Sequence, residues 1–75
     1  MDVTTEIPTY QQRVIEEYQQ LDARLDALHA FFGDREKCKK VSHEALRLML
    51  DQSVAMRQYL EILAERTYLF DQDGV

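Results

Sequence analysis

A chain of 75 residues with a single cysteine has room for one small domain, and it can build neither an internal disulfide framework nor a multi-thiolate metal site. Fourteen acids against nine bases give a net charge of -5, which repels a DNA duplex or an anionic membrane surface. No basic-then-apolar leader opens the chain and no apolar run could span a bilayer, so a soluble intracellular protein is expected.

Residues 1–8 carry no helical periodicity, and the Ile7–Pro8 step disfavours helix before the proline, so an N-terminal arm is expected there. Thr9 followed by Gln12 has the spacing of a capping box, which starts a first helix near Tyr10. Val14, Tyr18, Leu21, Leu25, Leu28 and Phe32 then step alternately by three and four, the seam period of helices packed lengthwise. Gly33 follows Phe32 as the residue able to take a left-handed conformation at the helix end. Residues 33–41 are charged, without apolar period, and read as the connection. It holds Cys38 beside Lys37, Lys39 and Lys40, lysines that favour a thiolate, although a lone loop cysteine is assigned no catalytic role.

Ser42 is the expected cap of the second helix, with Glu44 in its first turn and Val41 placed to staple onto Leu46. A second ladder, Leu46, Met49, Ser53, Met56, Leu60, Leu63, Thr67 and Phe70, runs through this helix to about residue 70, and a frayed tail of 71–75 follows. The two ladders predict an all-α fold, an antiparallel helical hairpin over 9–70. A companion stripe one position earlier, Ala45, Leu48, Ala55, Tyr59, Ile62 and Leu69, makes the second helix apolar over a wider arc than one partner can cover. Met56 and Leu60 are therefore expected in the core. Leu48, Ala55, Tyr59, Ile62 and Leu69 are expected between chains of a homo-oligomeric helical bundle, which would supply the stability a small hairpin lacks.

No catalytic constellation emerges. Ser42 and His43 are adjacent and point apart on a helix, neither His29 nor His43 has a glutamate three residues before it, and the glycines are isolated. No enzyme activity, metal or cofactor is expected. Zipping the ladders together does bring the start of the first helix, with Tyr10 and Arg13, to the end of the second, with Arg66 and Tyr68. Two tyrosine faces and two guanidinium groups in an acidic protein form a set able to stack a base and pair its phosphate. The plainer alternative makes the tyrosines amphipathic surface residues and pairs the arginines with Glu17, Glu65 or other acids.

The string Tyr10-Gln11-Gln12-Arg13-Val14, with Glu17, Leu21-Asp22, Arg24-Leu25, Leu28 and Phe31, and after the turn Leu50, Gln52, Met56, Tyr59, Leu63 and Arg66, resembles the phage anti-CBASS cyclic-nucleotide sponges and the hairpin part of anti-Thoeris sponges. The resemblance covers residues 10–68. It implies a homo-oligomer, a hexamer of hairpins, acting in the cytoplasm of an infected bacterial host. Such a protein sequesters cyclic di- and trinucleotide immune signals and does not cleave them. It further implies that Tyr10 stacks on a nucleobase, that Arg24 contacts phosphate, and that Arg66 belongs to a second pocket suited to cyclic trinucleotides. The other reading is a structural or protein-binding hairpin with no nucleotide ligand, whose stripe on the second helix captures a helix of another protein.

Overall fold

The computed structural model describes residues 9–72, which form α1 (Thr9–Phe32), α2 (Arg35–Cys38) and α3 (His43–Gln72). The arm expected over 1–8 and the tail residues 73–75 lie outside the described residues. α1 and α3 pack lengthwise as an antiparallel pair, and the described fold is entirely helical. Every residue of the two expected seams is buried or half-buried. At the centre Leu63 is wholly buried and clusters with Val14 and Leu21, with Tyr18, Met56, Leu60 and Phe70 packed around them. Leu25 completes the buried apolar set.

Ser53 and Thr67 sit in the apolar seam because each hydroxyl is satisfied within its own helix. Ser53 Oγ donates to the Leu50 carbonyl and Thr67 Oγ1 to the Ala64 carbonyl, both at 2.7 Å, so neither demands a partner across the interface.

The start of α1 differs from the expected box. Thr9 is already helical and so is not the cap. α3 runs to Gln72, two residues beyond the expected end at Phe70. Ser42 caps α3 as expected, its Oγ accepting from the Ala45 N–H at 3.1 Å, while Arg47 engages Glu44 at 4.0 Å.

The connection holds the one element that the sequence pattern missed. Asp34 caps the four-residue α2, its Oδ1 accepting from the Lys37 N–H at 3.2 Å. α1 does not end in a left-handed glycine. Gly33 keeps a negative-side backbone, and its N–H is shared between the His29 and Ala30 carbonyls at 3.2 Å each. The Cys38 thiol turns back to donate to the Phe31 carbonyl at 3.3 Å, a second donor to an oxygen that already accepts the Asp34 N–H at 3.0 Å. Because a Cβ at Gly33 would meet only the Ala30 and His29 carbonyl oxygens at 3.6 and 3.9 Å, Gly33→Ala should be tolerated. A gain of about 0.4 to 1 kcal/mol is expected from the stiffer unfolded chain. Thermal denaturation checks this, and a loss of more than that amount would mean the position needs glycine.

Candidate functional site

Among the described residues, shallow hollows flank the seam, and two on its opposite sides carry opposite charges. The first, about 370 Å³, is lined by Arg24, Ala27, Leu28 and Phe31 from α1 and by Met49, Gln52 and Met56 from α3. The second, about 310 Å³, is lined by Tyr18, Asp22, Leu25, Asp26 and His29 from α1 and by Arg57, Leu60, Glu61 and Ala64 from α3. Three carboxylates surround the single guanidinium of the second hollow, whereas Arg24 faces no acid among the residues lining the first. An anionic ligand is therefore directed to the Arg24 side by Coulomb attraction on one face and repulsion on the other.

The α-helical phase extends the Arg24 side along the whole hairpin. Eleven residues separate Arg13 from Arg24, three turns at about 100° per residue, so both project from nearly the same line on α1. On α3, Gln52, Tyr59 and Arg66 recur every seven residues and share a line to within about 20° per step. Antiparallel packing sets Arg13 and Arg66 at one level, since Val14 clusters with Leu63 and the Tyr10 ring meets the Phe70 ring edge-on at 5.9 Å. Glu17 lies on the same α1 line between the two arginines and reduces their field. Arg13, Arg24 and Arg66 are all exposed, and none forms an ion pair with a described carboxylate. The described ion pairs are Lys39–Glu36, Arg47–Glu44 and Arg47–Asp51. The pairing of Arg13 and Arg66 with Glu17 or Glu65 that the plainer reading required is not formed.

The expected tyrosine pair is not assembled in one chain. Tyr68 follows Arg66 by two residues, about 200° around α3, so it projects on the flank of the acidic hollow. Tyr10 is at the correct end, but part of its ring is used against Phe70, leaving it half exposed at 54%. Its neighbour Gln11 is buried, with its Nε2 donating to the Tyr10 hydroxyl at 3.3 Å; it lies three residues before Val14 and so continues the three-four ladder, a phase that its polar side chain conceals. Arg24 stands about 16 Å along α1 from Arg13, too far for a compact ligand to span both within one chain. The hairpin thus offers two cationic stations on one side. The walls of the Arg24 hollow, Phe31, Met49, Gln52 and Met56, were not singled out as ligand contacts from the sequence; Gln52 and Met56 belong to the Gln-x-x-x-Met-x-x-Tyr motif.

The stripe on α3 is open. Leu48, Ala55, Tyr59, Ile62 and Leu69 are exposed, Ile62 at 56%. Leu50 and Val54 form a second exposed apolar patch on the other flank, in phase with Tyr68. No described helix is long and apolar enough to cross a membrane.

The family described as Sequestin matches residues 8–69, nearly the whole hairpin. No curated protein and no solved structure matches the chain.

Proposed function

The chain belongs to the Sequestin family, and from that premise we propose that it is an anti-CBASS sponge. In this reading it is a phage protein that binds cyclic di- and trinucleotide immune signals in the host cytoplasm and holds them without cleavage. The observation that carries the reading is the Arg24 hollow. It combines a guanidinium, an amide and a floor of Phe31, Met49 and Met56, with no carboxylate in its lining. A base can rest on such a floor while its phosphate meets the arginine. The family name itself speaks of sequestration, which favours binding over turnover.

Self-association completes the site in this account. Gln52 lines the hollow and the exposed Tyr59 follows it by seven residues on nearly the same line of α3, so a second hairpin seated on that stripe would add a wall to the hollow. The separate Leu50 and Val54 patch gives each chain two apolar surfaces, the minimum for assemblies larger than a dimer and compatible with a hexamer. Tyr10, Arg13 and Arg66 at the open end form the second station, about 16 Å away, where the trinucleotide pocket is placed.

Substitution of Arg24 or Arg66 by alanine should lower affinity by about one to two orders of magnitude, the size of a charge-assisted phosphate contact. Arg24→Ala should act mainly on dinucleotides and Arg66→Ala on trinucleotides. Arg57→Ala, in the acidic hollow, should change neither. Calorimetry on the three variants tests the assignment, and equal damage by all three would remove its basis. Ligand recovered chemically intact after denaturation is expected; cleaved nucleotide would make the protein an enzyme.

A further inference from the structure

The turn carries a third hollow, distinct in place and chemistry from both flanks of the seam. It measures about 560 Å³, within the range of small-molecule pockets. Phe32, Val41 and Leu46 supply an apolar floor, Arg35 and Lys39 a cationic rim, and His43 an imidazole beside them. Phe31 faces the Arg24 hollow and Phe32 this one, because consecutive helical residues diverge by about 100°. The Cys38 thiol also lines it but is engaged with the Phe31 carbonyl.

The electrostatics of this end oppose those of the molecule. Arg35, Lys37, Lys39 and Lys40 stand against Glu36 alone over residues 35–40, in a chain of net charge -5. Of the nearby acids, Glu36 lies 3.8 Å from Lys39 and Glu44 4.0 Å from Arg47 in exposed pairs of little strength, and Asp34 accepts the Lys37 N–H. His43 is the first residue of α3, so the positive end of a 30-residue helix dipole adds to the rim.

We propose that this hollow binds a small organic anion with a flat apolar body, of the aryl phosphate class. The apolar floor removes the ring from water, while the cations of the rim hold the oxyanion. Neither half of the ligand suffices: inorganic phosphate leaves the floor wet, and a neutral ring leaves the rim unpaired. The site is independent of the Arg24 side.

Amide NMR titration of the full chain with phenyl phosphate tests this, with inorganic phosphate and phenol as separate arms. Saturable millimolar binding is expected, with shifts at Phe32, Arg35, Lys39, His43 and Leu46, at least about tenfold tighter than either control arm. The R35E/K39E double variant, with helicity checked by circular dichroism, should weaken phenyl phosphate binding about tenfold or more, and Arg24→Glu should leave it unchanged. The proposal is overturned by unshifted turn amides, by an equal response to inorganic phosphate, which would mean an adventitious ion only, or by binding that survives the double charge reversal. Loss of turn binding in Arg24→Glu would equally overturn its independence.

Discussion

Leu63→Ala is expected to cost about 2 to 5 kcal/mol and to melt most of the hairpin, the range for truncating a fully buried leucine. Leu63 has no exposed surface and clusters with Val14 and Leu21 between α1 and α3. Among the described residues only those three and Leu25 are buried apolar side chains, and Leu63 alone is fully buried, so little else can absorb the cavity. Far-ultraviolet circular dichroism during a thermal ramp, at fixed protein concentration because the proposed assembly would couple to folding, would show the loss. Leu63→Met keeps the volume and should cost under about 1.5 kcal/mol. Similar midpoints for wild type and the alanine variant would remove Leu63 from the centre of the fold.

Ile62→Asp, one residue earlier, should leave the hairpin folded and abolish the proposed assembly. Ile62 projects about 100° away from Leu63 and is 56% exposed in the single chain, so a carboxylate there is solvated in the free hairpin. Seated against a second copy it would be an unpaired charge in an apolar contact, at several kcal/mol per interface. Sedimentation should report a smaller species with helicity retained. An unchanged assembly would place Ile62 outside the interface, and a loss of helicity at high protein concentration would show that hairpin and oligomer fold as one unit.

The helical seam was legible in the sequence because its three-four period is set by backbone geometry, and both ladders occupy the α1–α3 interface residue for residue. Ser53 and Thr67 keep the period although they are polar, since their hydroxyls return to their own helix. α2 escaped notice because a four-residue helix has no room for an apolar period; its only signal is Asp34 before the helix-compatible Arg35-Glu36-Lys37. The turn also shows why Gly33 misled. Glycine permits a left-handed residue without requiring one, and here the shared N–H and the Cys38 thiol close the helix end.

The candidate site was legible by position along the helices and less so by direction around them. Zipping the ladders placed Arg13 beside Arg66 at the correct level, as the Tyr10 and Phe70 rings attest. Tyr68 shares that level but projects to the other flank, which sequence proximity to Arg66 conceals. The Arg24 hollow required the register of two helices at once, because Phe31 and Gln52 become neighbours only when α1 and α3 are laid side by side.

Direct calorimetric titration of the purified protein with a panel of cyclic di- and trinucleotides, with cyclic ADP-ribose isomers alongside, addresses the central claim most directly. The account predicts saturable binding of at least one cyclic di- or trinucleotide, weakened by about one to two orders of magnitude in Arg24→Ala or Arg66→Ala. Absence of heat for every ligand at tens of micromolar, with helicity and assembly intact, would contradict it and leave the hairpin as a structural or protein-binding element.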